Sequence, residues 1–191
     1  MKNILIILLF TVTSGLSQEI DLEYGKVSLN DFKVQSIDSS KVHDAILTIN
    51  NVSVSFVSGF QYVSIHQRIR IESIDGLAYA NQQIDLLKYA EDGEEIVALK
   101  GATYNLEDEK IKTSILNEKE LLSENLSSNS YIGFFNLPDV KVGSVIEFEY
   151  IIKSPFLNVE DIGLQYEIPI IYLNIFLQFP TYQSYYVETN P

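Results

Sequence analysis

The sequence predicts an all-β protein: an antiparallel β-sandwich with at most one short helix, after a cleaved signal peptide. Three observations carry this reading. Apolar and polar residues alternate with a period of two along much of the chain, whereas helical periodicity is scarce. Val, Ile, Tyr and Phe, which suit a pleated and half-buried surface, are plentiful. Turn signals recur at short spacing between these runs. Many short strands with little helix point to two packed sheets.

The elements follow in order. Ala45 to Val57 is the first strong strand: Ala45, Leu47 and Ile49 alternate, then Val52, Val54 and Phe56. Asn50-Asn51 shifts the register between the two sets, as a bulge would. Ser58-Gly59 is a compact hairpin signal. The return strand, Phe60 to Glu72, sets Val63, Ile65, Ile69 and Ile71 on one face and Ser64, His66, Arg68 and Arg70 on the other. Asp75-Gly76 marks a turn before a weaker strand, Leu77 to Leu87, and the acidic loop Glu91 to Glu95. Ile96 to Tyr104 and Lys110 to Leu116 form a pair around the turn Asn105 to Glu109. Asn117-Glu118-Lys119-Glu120 resembles a capping box and predicts a short helix through Leu122.

Ser123 to Ser130 reads as an exposed loop within one domain. Tyr131 to Leu137 is the next strand. The half-buried pattern is clearest in Ser144 to Lys153, where Ile146, Phe148, Tyr150 and Ile152 alternate with Glu147, Glu149 and Lys153. Ile170 to Phe179 and Tyr182 to Val187 complete the strands. The ending at Pro191, straight after an aromatic-rich strand, reads as a truncation inside a longer protein.

The start of the chain sets the compartment. Lys2, the apolar run Ile4 to Phe10 and the small residues Gly15 and Ser17 have the order of a secretory leader. The run is about half the ~20 residues a membrane span needs. The expected division is therefore a signal peptide at 1–17 and one sandwich domain at 18–191, exported to the periplasm or outer surface of a bacterium. No transmembrane span is expected after cleavage. The chain has no cysteine, which excludes disulfides, a lipidated N-terminal cysteine, a thiolate metal site and a cysteine nucleophile within it. The net charge of −13 and the lack of clustered Lys and Arg argue against nucleic acid as a partner.

A further set of residues forms a recognisable pattern. It includes Val27-Ser28, Asp31-Phe32, His66-Gln67-Arg68-Ile69 before Asp75-Gly76, and Ala102-Thr103-Tyr104-Asn105. The densest block holds Leu137-Pro138 and then Val140, Lys141, Gly143, Ser144, Val145, Ile146, Glu147 and Tyr150. Pro155, Gln165 and Pro169 follow. The pattern resembles a bacterial domain of unknown function that precedes transglutaminase-like domains in exported proteins. The resemblance implies a β-sandwich and a downstream domain of the same polypeptide carrying Cys-His-Asp chemistry. No catalytic residue and no cofactor transfers to this chain. Gly143 is expected to need a positive φ or a tight approach, and Pro155 and Pro169 to mark strand ends.

Candidate chemistry is sparse. His66, Arg68 and Arg70 form a basic stripe that could bind a carboxylate or a partner domain. The favoured reading is a solvated face paired with acidic neighbours on adjacent strands. Glu147 and Glu149 are read as a second solvated stripe in preference to a glycosidase pair, and His43 as structural. The loop Glu91 to Glu95 offers oxygen ligands for calcium but lacks the order of a helix-loop-helix site. Tyr166, Tyr172, Phe176, Phe179, Tyr182, Tyr185 and Tyr186 suggest core or domain interface ahead of a sugar or peptide platform. The sequence thus favours a non-catalytic module beside a transglutaminase-like domain, with an extracytoplasmic peptide- or glycan-binding module as the alternative.

Overall fold

A computed structural model describes residues 21–33, 43–157 and 166–181. Residues 1–17, Gln165 and the strand expected at Tyr182 to Val187 lie outside the described residues. The described chain is an all-β sandwich of two sheets. Its strands are β1 (Ala45–Val57), β2 (Phe60–Ile71), β3 (Asn81–Tyr89), β4 (Asp92–Gly93) and β5 (Glu95–Glu107). They continue with β6 (Lys110–Ile115), β7 (Leu122–Asn125), β8 (Ser130–Asn136), β9 (Val145–Ser154) and β10 (Leu173–Leu177). One sheet has the order β10-β1-β2-β9-β5-β6, the other β4-β3-β8-β7. Every pairing is antiparallel except β1 with β10, which is parallel and aligns Asn50 with Leu173. No described helix is long and apolar enough to cross a membrane.

The alternation read from the sequence builds the core. Ala45, Leu47, Ile69, Ile71, Ile146 and Phe148 turn inward from the larger sheet, and Ile84, Leu86, Phe135 and Leu137 meet them from the other side. Phe135 and Phe148 touch edge to face across the gap, with ring centroids 5.6 Å apart. Phe148 also stacks on Tyr150.

Several boundaries differ from the sequence reading, each for a local reason. The register shift in β1 falls between Leu47 and Ile49, earlier than Asn50-Asn51. Thr48 is the extra residue, and its hydroxyl donates to the Arg68 carbonyl at 3.0 Å. Asn50 is thereby turned inward, where Gln67 donates to it and Tyr166 bonds both amides. Asp75–Ala80 forms a 3-10 turn, so the strand expected from Leu77 begins at Asn81. Gly76 allows that turn to pass close to β1: a Cβ there would sit 2.0 Å from the Asp44 carbonyl oxygen. The expected helix at Asn117 is only a 3-10 turn, Glu118–Glu120, capped by the Asn117 side chain. The start of the expected Ser123 loop instead pairs with β8 as β7.

Two hairpins close as tight turns. Ser58 and Gly59 have φ of +52° and +82°. Asp108 and Glu109, between β5 and β6, have +49° and +62° without a glycine. Both pairs are in the left-handed region that type I′ turns require.

Candidate functional site

The outer face of the six-stranded sheet carries a buried ionic clasp. Its floor comes from β2 and β9, where Arg68 pairs directly with Glu147 and His66 with Glu149. Alternation puts all four on one face. Tyr104 on β5 lies diagonally beside Glu147, whose direct neighbour there is the small Ala102. The lid is the N-terminal strap, residues 21–33, ending in the 3-10 turn Asp31–Lys33. Phe32 and Val27 pack on Ala102, Tyr104 and Val145 and exclude water from one side of the cluster.

The geometry is saturated. Glu147 Oε1 accepts from His66 Nε2 at 2.8 Å and from Arg68 Nε and Nη2 at 3.1 and 2.8 Å. Its Oε2 accepts from the Gly25 amide at 3.0 Å and the Tyr104 hydroxyl at 3.1 Å. Arg68 uses the rest of its fork on the strap: Nη1 donates to the Asp21 carbonyl and to Asp31 Oδ1, and Nη2 to the Glu23 carbonyl. All five guanidinium N–H groups therefore have acceptors. Asp31 Oδ2 accepts in turn from the Ser28 amide and hydroxyl. Arg68 and Glu147 are both 0% exposed, and Asp31 and His66 are 6% exposed.

Burial alone would raise the Glu147 pKa. The hydrogen bond from His66, the Arg68 charge and the Gly25 amide outweigh it and hold the carboxyl below its ordinary range. Tyr24 is pushed up to about 12, first by burial and then by the charges of Glu147 and Glu149. Tyr104 is raised by burial and by Glu147. The Tyr24 ring lies 5.8 Å from that of His66, and the Lys100 ammonium lies 5.6 Å from the Tyr24 ring centroid. With five donors on its two oxygens, Glu147 has no lone pair left for a substrate, and the cluster acts as a fastening.

This placement corrects two sequence readings. His66 and Arg68 are not part of a solvated stripe, and Glu147 is not on one either. Each is buried because the strap covers the sheet face that the alternation leaves polar. The pairing with acidic neighbours does occur. Arg70 shares the face but stands outside the cluster, in an ion pair with Glu72 at 2.9 Å.

The remaining pattern residues have structural positions. Leu137, Val145 and Ile146 are buried. Pro138 and Val140 lie in the turn before β9, and Gly143 there has φ of +88° with open space around it, so the conformation is what it supplies. Ser144 is buried, donates to Asn105 and accepts from the Lys141 amide, while the Lys141 ammonium meets Glu107 at 2.9 Å. Tyr150 stacks in the core, Pro155 follows the last residue of β9, and the Pro169 carbonyl accepts from Leu47.

Other candidates are not drawn together. Glu94 is turned inward to accept from the Leu87 amide, and no cluster of metal-ligating side chains occurs among the described residues. His43 is half-buried, and its Nε2 has no hydrogen-bond partner among the described residues. Of the late aromatics, Tyr166 joins the Asn50–Gln67 network, Phe179 packs on Phe56 and Phe176 is exposed. Tyr182, Tyr185 and Tyr186 lie outside the described residues. The sequence reading missed the roles of Asp21, Glu23 and Tyr24. Their segment has no strand pattern, and only the neighbouring Val27-Ser28 and Asp31-Phe32 pairs stood out.

No protein-family model matches the chain, and no curated protein does. Among solved structures, it is similar to a candidate protease from Parabacteroides distasonis ATCC 8503, with a TM-score of 0.46 and 10% identity. That match covers 58% of this chain and 23% of the other, so the chain spans about a quarter of that protein. A likeness of this size carries no statement about activity.

Proposed function

We propose that this chain is a non-catalytic β-sandwich module of an exported transglutaminase-like protein, positioning a downstream domain of the same polypeptide. One observation carries the reading. Pieces of the pattern that are far apart in sequence, Asp31, His66-x-Arg68, Tyr104 and Glu147, meet in a single saturated clasp. The pattern therefore records how the module holds itself together, as expected of a scaffold whose chemistry lies elsewhere. The lack of a cysteine agrees with a role outside the nucleophilic step.

Reading the open reading frame past Pro191 tests this directly. The expected result is a Cys, then a His, then an Asp in a second domain. A stop codon or a domain without that set sinks the proposal. Acyl-transfer or hydrolytic activity in residues 18–191 alone would sink it equally. A second reading, an extracytoplasmic module that recognises a peptide or glycan, draws on one observation: an amide-lined trough on the far side of the sandwich.

A further inference from the structure

The solvent face of the four-stranded sheet is the chemical opposite of the clasp. Gln83, Phe134 and Leu122 form one rung across β3, β8 and β7, and Asn81 pairs with Asn136 two residues away. Directly paired residues project from the same face with Cβ atoms ~5 Å apart. Lys119 and Glu120 wall one side, and the trough so formed has a volume of about 720 Å³. That lies within the range of small-ligand sites.

Its polar groups are unspent. Asn81, Gln83 and Asn136 are exposed, and their side-chain amides make no hydrogen bond among the described residues. Gln82, by contrast, is committed to the Tyr79 carbonyl. The floor is apolar, with Phe134 half-buried and Leu122 54% exposed. The lining carries one lysine and one glutamate, so it is neutral on a chain of net charge −13.

We propose that this trough binds a neutral oligosaccharide. Each amide offers an N–H donor pair and a carbonyl acceptor. A sugar hydroxyl both donates and accepts, so a row of three free amides suits it. The apolar C–H face of a pyranose ring fits against Phe134 and Leu122. An anion would meet no net counter-charge there, and the next rung of the same face, Asp85, Ile132 and Glu124, would repel it. The proposal gives the second reading a site and a ligand class. It uses no residue of the clasp, so its failure leaves the positioning reading standing.

The test is a titration of the ¹⁵N-labelled chain with a panel of neutral hexasaccharides of glucose, N-acetylglucosamine, mannose, galactose and xylose at millimolar concentration. An uncharged Ala/Ser/Gly hexapeptide is the comparison. At least one sugar is expected to shift the amide signals of Gln83, Phe134 and Asn136 saturably. Phe134→Ala should weaken binding about tenfold. Asn136→Ala, an exposed change that leaves the fold intact, should weaken it about fivefold. Silence across the panel overturns the proposal. So does sugar binding that Asn136→Ala and Gln83→Ala leave unchanged, and so does saturable binding of the hexapeptide in place of any sugar.

Discussion

Arg68 shows how one side chain can join distant parts of a chain. Its five donors reach β9 and three points of the strap. Removing one partner of a buried ion pair costs about 3–5 kcal/mol, because the others are left charged and unpaired. Arg68→Ala should therefore lower the urea-derived stability by about that much. Arg68→Lys should recover little, since an ammonium cannot reproduce the planar fork. Glu147 makes the cluster acid-sensitive. Its folded pKa lies below the unfolded one, so its contribution is present above the unfolded value of ~4.3 and is lost as pH falls through the folded pKa. Stability measured below about pH 4.3 should fall more steeply in the native chain than in Glu147→Gln. Tyr24 has the opposite sign. Its raised pKa contributes below the unfolded value of ~10, and that contribution is lost as pH rises toward about 12.

The β5–β6 hairpin is an element whose turn chemistry disagrees with its conformation. Asp108 and Glu109 hold positive φ that glycine would adopt without steric cost. Glu109→Gly should raise stability by about 1 kcal/mol and Tm by about 2–4 °C in calorimetry. At the other limit, Gly76→Ala should be strongly destabilising, because the Asp44 backbone cannot yield to a Cβ as a flexible side chain could. A Tm unchanged by that substitution would contradict the close approach. The strands themselves were legible. β1 has the bounds that its alternation sets, and β9 shifts by only one residue. Alternation failed on the outer face, because period two separates the faces without saying which is covered. Polar residues at His66, Arg68 and Glu147 look the same to that test whether water or a strap lies over them. The parallel strand β10 was equally hidden: its residues read as a strand, but its direction depends on the path taken between β9 and β10.

At the scale of the molecule, the sandwich has one fastened face and one open face. The fastened face predicts a hierarchy of opening. The strap rests on the clasp and the small Phe32 cluster, whereas β2 and β9 lie between neighbours in the sheet. Glu147→Gln should therefore speed hydrogen exchange at Gly25 far more than at β2 amides. Trypsin cleavage after Lys26 and Lys33 should also rise before any loss of sheet signal. Equal acceleration at the strap and at β2 would show that the two open as one unit. The open face was not legible at all. Asn81, Gln83, Phe134 and Asn136 come together only through the β3–β8 register, and nothing in either segment alone marks them.

The clasp also imposes an order of events on a chain made from one end. Gly25 and Glu147 are 122 residues apart, so the strap is synthesised long before its anchor exists. Closing so long a loop is favourable only after the strands between have paired. This early segment is thus among the last to be secured. Until β9 arrives, Arg68 and Asp31 lack the carboxylate that completes their cluster, and the strap has no reason to settle early on the wrong strand.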